Sequence, residues 1–155
     1  MEKNNEFYMT EAIKEATKAL ECDEVPIGCI IVHKGKIIAR SYNQIELLKD
    51  ATAHAEMLAL TQASATLGNW RLDECTLYVT KEPCIMCFGA ILHSRISSIV
   101  VGCLDDQQRG IRDLIHPGYE PLLKKLSVEY GCLEQPCQLL LQEFFQKARN
   151  REKKK

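Results

Sequence analysis

The sequence predicts an α/β protein with three layers, α/β/α, around a central mixed sheet of about five strands. Three observations carry that prediction. Apolar runs rich in β-branched residues, such as Thr76-Leu77-Tyr78-Val79-Thr80 and Ile99-Val100-Val101-Gly102-Cys103, have the character of buried strands. A helical stretch lies between those two runs, and strand, helix, strand in that order implies a right-handed crossover and a local parallel pair. Lys34-Gly35 separates two further apolar runs and reads as a hairpin turn, which makes another pair antiparallel.

Taken in order, residues 6–20 place Met9, Ile13, Ala16 and Leu20 at helical spacing with Lys and Glu between, an amphipathic first helix. Glu21-Cys22-Asp23-Glu24 breaks it. Residues 25–32 and 37–42 are the hairpin strands, and the polar stretch 43–52 is a loop leading into a helix that runs to about Leu67, where Gly68-Asn69 ends it. The strand at 76–80 delivers the chain to Pro83 and a second helix through about His93; the strand at 99–103 follows. Residues 104–125 are irregular, with turn signals at His116-Pro117-Gly118. A last strand falls near 126–132, and Pro136 opens a closing helix through Phe144 and Phe145 to Arg149.

A chain of 155 residues is long enough for one domain, 1–155, with one core and one site per chain. Charged residues at 26% and hydrophobic residues at 46% argue against disorder. No stretch has the length of a membrane span, and Met1-Glu2-Lys3-Asn4-Asn5 has no apolar signal core, so a cytoplasmic location without membrane partners is expected. The eight cysteines do not form a disulfide framework: Cys22, Cys29, Cys75, Cys103, Cys132 and Cys137 are scattered singly and read as small core residues. A net charge of −1 says little about partners, but residues 147–155 hold six basic side chains against one acid, Glu152, so the chain ends in a basic helix or tail from about 136.

Two stretches carry chemistry. Thr52-Ala53-His54-Ala55-Glu56 and Pro83-Cys84-Ile85-Met86-Cys87 supply an imidazole, a carboxyl group and two thiols. Zinc takes nitrogen and sulfur ligands in a tetrahedron, and a catalytic site keeps one of four positions for water. His54, Cys84 and Cys87 make three ligands; a cation so held lowers the pKa of water from about 15.7 toward roughly 7. Glu56 is then the candidate proton shuttle. Pro83 suits the first turn of a helix, which puts Cys84 and Cys87 on one face. His54 and Glu56 would diverge in mid-helix, so they belong in the first turn of a helix capped by Asp50 or Thr52. A CxxC alone is equally a redox pair or half of a structural zinc knuckle. A structural site would add a fourth ligand, and the nearest spare thiols, Cys75 and Cys103, belong to no second paired motif.

The order H-x-E, then P-C-x-x-C, resembles the cytidine-deaminase-like superfamily. Four segments narrow the resemblance to the bacterial tRNA-specific adenosine deaminases: Glu24-Val25-Pro26-Ile27-Gly28, residues 52–56, Asn69-Trp70-Arg71-Leu72, and the block LYVTKEPCIMCFGAILHSRI at 77–96. The resemblance implies one Zn2+ per subunit, conversion of adenosine to inosine at the wobble position of a tRNA anticodon, and a homodimer. It makes Glu56 the proton relay to the ring and the departing amine. It places Asn43 on the flipped base, Ile27 and Ala55 in the pocket wall, Asp105 near the flanking nucleotides, and Phe145 and Arg149 on an RNA-facing helix. Each has a plainer reading: Asn43 as a loop residue turning locally, Phe144-Phe145 as core, the Lys-rich end as a frayed terminus. His93 is equally a packed or capping residue. A deaminase acting on free guanine or cytosine shares the zinc motif and is the alternative. Residues 106–112, DQQRGIR, are shorter and more charged than the segment usual in the family, which bears on how neighbouring nucleotides are read.

Overall fold

Strands covered on both faces send alternate side chains into two cores, and the chain does this in three strands. The structure, a computed structural model, describes residues 3–107, 110–111, 118 and 120–155. Its sheet comprises β1 (Gly28–His33), β2 (Lys36–Tyr42), β3 (Cys75–Lys81), β4 (Ser98–Cys103) and β5 (Ser127–Glu129), in the order β2-β1-β3-β4-β5. β1 pairs antiparallel with β2 and β3; β3–β4 and β4–β5 are parallel. The predicted mixed, five-stranded sheet is therefore present, with the parallel pair where the strand–helix–strand order puts it.

Cys29 and Ile31, Leu77 and Val79, Ile99 and Val101 point into one core; Ile30 and Val32, Tyr78 and Val100 point into the other. The first core is closed by α3 (Ala55–Leu67) and α4 (Ile85–His93), the second by α1 (Asn5–Glu21) and α6 (Glu134–Glu152), giving the α/β/α layers. Two four-residue helices, α2 (Ile45–Leu48) and α5 (Glu120–Leu123), complete the described elements. Leu77 is fully buried in the first core. Leu77→Ala is expected to cost about 2–5 kcal/mol through the cavity it leaves, read as a lower urea midpoint at unchanged slope.

The hairpin turn lies at Lys34 (φ 48°) and Gly35 (φ 75°), both left-handed, as the twist of a two-residue turn requires. Several expected boundaries move. α1 buries Met9, Ala12, Ala16 and Ala19, whereas Ile13 and Leu20 lie at the edge of that face. The sheet selects the small residues because they let the helix axis come close. β1 begins at Gly28 rather than residue 25, Pro26 having no N–H for the ladder. The loop 43–52 contains α2, tied down where Glu24, 2% exposed, accepts the Leu47 N–H at 2.6 Å. α6 starts at Glu134, so Pro136 is its third residue rather than its first. His116 and Pro117 of the expected turn, and Gln108, Arg109 and Arg112 of the charged segment, lie outside the described residues.

All eight cysteines are free thiols, five of the six outside the CxxC motif buried and only Cys22 exposed. No helix among the described residues is long and apolar enough to cross a membrane. The parallel strands β3 and β4 end side by side, at Lys81 and Cys103. Their outgoing segments carry Glu82-Pro83-Cys84 and Leu104-Asp105, and this end of the sheet is where α3 begins.

Candidate active site

The first helix of the site starts one residue after its ligand. His54 is the N-cap of α3, with extended backbone (φ −71°, ψ 151°), and Glu56 is the second helical residue. That break in backbone direction lets two side chains only two apart in sequence face one cavity, which a continuous helix would forbid. Neither Asp50 nor Thr52 caps α3. Asp50 instead accepts the Thr52 N–H and hydroxyl, both at 2.8 Å, and closes a local turn.

α4 repeats the arrangement. Cys84 is its N-cap, again extended (φ −74°, ψ 174°), and Cys87 is its third residue. Pro83 accordingly sits one position before the cap and outside the helix, a correction to the first-turn placement. Its fixed φ holds the chain extended as it leaves β3.

The two caps converge. His54 Nδ1 lies 3.7 Å from Cys84 Sγ and 3.4 Å from Cys87 Sγ, and the three donor atoms fall within 4.8 Å of one another. A tetrahedral centre about 2.05 Å from nitrogen and 2.3 Å from sulfur subtends N···S edges of about 3.6 Å. The observed edges bracket that value, so one nitrogen and two sulfurs form a donor triangle of the right size for one ion. The group is the only such cluster of His, Cys, Asp or Glu among the described residues.

The electrostatics suit a ligand set beside a proton carrier. Hydrogen bonding from Cys87, then from His54, holds the Cys84 thiol at about 3 despite burial. Cys87 is pushed up as the other half of that pair. Burial raises Glu56, 3% exposed, above the usual carboxyl range, opposed by a hydrogen bond from Cys87 and the nearby His54. A carboxyl group raised in this way is suited to taking a proton and returning it.

Ile27, His54, Glu56, Lys81, Glu82, Cys84, Ile85 and Asp105 line a cavity of about 320 Å³. That is the low end of the range for small-ligand sites, enough for one heterocyclic base. Through Lys81 and Asp105 it adjoins a groove of about 610 Å³ floored by α6, which includes Phe145 and Arg149. Phe145 is 44% exposed, in edge contact with Phe144, so it is not core.

The structure therefore brings Ile27, His54, Glu56, Cys84 and Asp105 to one cavity, with Cys87 completing the donor triangle and Phe145 and Arg149 next door. It does not bring Asn43 or Ala55 to that wall. Ala55 is fully buried in the first core, and Asn43, 3% exposed, follows β2 with its N–H on the Ile27 carbonyl at 3.0 Å. His93 is exposed at the end of α4. Lys81, Glu82 and Ile85 were not singled out from the sequence, although Lys81 and Glu82 directly precede the Pro-Cys-x-x-Cys motif and Ile85 lies within it.

Comparison with known proteins places these features in a family. The MafB19-like deaminase profile matches residues 3–149. The chain is 44% identical over 146 residues to the tRNA-specific adenosine deaminase of Aquifex aeolicus, covering 94% of this chain and 96% of that protein. It is 43% identical to the chloroplastic tRNA(adenine(34)) deaminase of Arabidopsis thaliana over 92% of this chain but only 12% of that longer protein. A solved structure from work on A-to-I editing by tRNA:A34 deaminases superposes with a TM-score of 0.77 at 38% identity, covering 86% of this chain and 98% of that one. A guanine deaminase from Nitrosomonas europaea gives 0.80 at 27% identity, covering 91% and 84%.

Proposed function

The chain belongs to the MafB19-like deaminase family, alongside the bacterial tRNA-specific adenosine deaminases, and from that membership we propose that it converts adenosine to inosine at the wobble position of a tRNA anticodon by hydrolytic deamination. One observation carries the substrate assignment: a base-sized cavity holding the donor triangle and Glu56 opens, through Lys81 and Asp105, onto a groove along the basic helix α6. A free base would need only the cavity. A nucleotide within a loop needs somewhere for its neighbours.

The ion proposed for His54, Cys84 and Cys87 is zinc, which when bound supplies a Lewis acid that brings the pKa of water near neutrality. The chain's own residues do the rest. Cys84 and Cys87 at one helix start and His54 at another hold the donors fixed, so little rearrangement accompanies metal loading. Glu56 would carry one proton from water to the ring nitrogen, where inosine keeps it, and the second, from the hydroxyl newly bonded to the ring carbon, to the amine, which leaves as ammonia. Its burial keeps competing solvent away from that transfer. Ile27 gives the ring an apolar wall. An unpaired loop allows the adenosine to leave its stack at lower cost than a duplex would.

Phe145 offers a stacking face beside the groove, and Arg149 together with the basic residues of 147–155 offers phosphate neutralisation. Pairing of two chains would cover Ile85, which lines the cavity and is 67% exposed. Such an enzyme works where tRNA is, in the cytoplasm.

The test is inosine formation in an anticodon stem-loop against free adenosine and free guanine. The stem-loop is expected to be the strongly preferred substrate. Deleting residues 147–155 is expected to lower its kcat/KM by at least about 10-fold, the scale of one or two lost phosphate contacts, with free-nucleoside turnover unchanged. Efficient turnover of free guanine alone would contradict the proposal.

A further inference from the structure

The structure ties the segment after β4 to a residue not yet given a role. Glu82 is 3% exposed and lies between the last residue of β3 and Pro83. Its backbone N–H extends the β3–β4 ladder to the Cys103 carbonyl at 2.8 Å. Its side chain crosses to the next segment, where Oε1 accepts the Asp105 N–H at 3.1 Å. On the same carboxyl group sits Gly110: a Cβ there would collide with the carboxyl carbon and both oxygens. Gly110 also pairs with Cys84 in an isolated antiparallel bridge. One buried side chain thus holds both Asp105 and Gly110 against the strand end that leads into Cys84.

What Glu82 holds is the boundary between the two cavities. Asp105 is 7% exposed, and its Oδ2 lies 3.8 Å from Lys81 Nζ. Both residues line the base-sized cavity and the α6 groove. The position of Asp105 therefore decides how a chain leaving the first cavity enters the second.

We propose that Glu82 is a positioning residue: its carboxyl group, seated on Gly110, fixes Asp105 at the junction of the two cavities and thereby sets the fit of the nucleotide next to the target base. This rests on the RNA reading above for its substrate, while the tether itself does not. Because Glu82 acts on a part of the substrate that does not react, its loss weakens ground-state and transition-state binding alike, which raises KM and leaves kcat unchanged.

The experiment compares Glu82→Ala, Glu82→Gln and Gly110→Ala in the zinc-loaded full chain. Glu82→Ala is expected to raise KM for the stem-loop roughly 10-fold, the scale of one hydrogen bond at about 1.4 kcal/mol per decade, with kcat on the stem-loop unchanged. Glu82→Gln keeps an acceptor for the Asp105 N–H and is expected to restore wild-type KM. Gly110→Ala reaches the same contact from the other side and is expected to match Glu82→Ala; combined with it, the added methyl meets no carboxyl group, so the double variant is no worse than either single one. Amide exchange at Asp105 needs no substrate and is expected to speed up in Glu82→Ala and Gly110→Ala but not in Glu82→Gln. Unchanged exchange in Glu82→Ala would overturn the tether. Faster exchange with equal losses of kcat on stem-loop and free adenosine would overturn the positioning role. A wild-type enzyme inactive on the stem-loop would count against the RNA reading and leave the exchange result to judge the tether.

Discussion

Glu56→Ala is expected to abolish turnover while leaving fold and metal content intact. Positioned proton transfer contributes about 10²- to 10⁴-fold to a rate, and Glu56 has to act on water, ring and leaving group in turn, so the loss belongs at the upper end of that range. The side chain is buried and its carboxyl group is raised by that burial. Removing it takes away a costly desolvation, so the thermal midpoint is expected to stay level or rise. Glu56→Gln distinguishes proton transfer from shape: Gln fills the same space and cannot shuttle, so it is expected to fail as badly as Ala. Single-turnover measurement of inosine, with zinc content measured on the same samples, checks this. Activity in Glu56→Gln within about 10-fold of wild type would remove the proposed relay.

Removing the metal is expected to be as damaging, in two separable ways. Chelation is expected to stop turnover, with zinc restoring it. It is also expected to destabilise the fold: an ion binding only the native state at about 1,000 times its dissociation constant contributes roughly 4 kcal/mol, on the order of 10 °C for a chain this size. Cys87→Ala and His54→Ala are expected to lose both together, because three donors leave none to spare. The effect on stability is local in origin. The donors sit at the starts of α3 and α4, which close the same core, so an ion held there would tie the two helix starts together. Scanning calorimetry with and without chelator is the measurement; an unchanged midpoint in His54→Ala would mean that the imidazole is not a ligand.

The parts of this protein that could be read from sequence are those fixed by short-range geometry. Two residues of separation in His54-x-Glu56 and three in Cys84-x-x-Cys87 leave few backbone arrangements that converge, so the donor set was legible before the fold. β1, β3 and β4 were legible because each is covered on both sides and largely apolar, and β2 because the Lys34-Gly35 turn marks its hairpin with β1. What could not be read depends on contacts distant in sequence. The buried stripe of α1 runs through Ala12 and Ala19 because the sheet comes close there, a fact no helical periodicity contains. The helix starts fell later than capping preferences put them: His54 caps α3, two residues after Thr52 and four after Asp50, and Cys84 caps α4 just after Pro83. The family resemblance puts Asn43 on the base and Ala55 in the pocket wall, whereas Ala55 turns into the core. Glu82 was invisible because its role is defined by Asp105 and Gly110, more than twenty residues later.

X-ray absorption at the zinc edge of the purified protein tests the account at its centre. The account predicts one zinc per chain with two sulfurs at about 2.3 Å and two lighter atoms near 2.0–2.1 Å, one of them from solvent. Protein without stoichiometric zinc, or zinc enclosed by four side chains including a third sulfur, would contradict it.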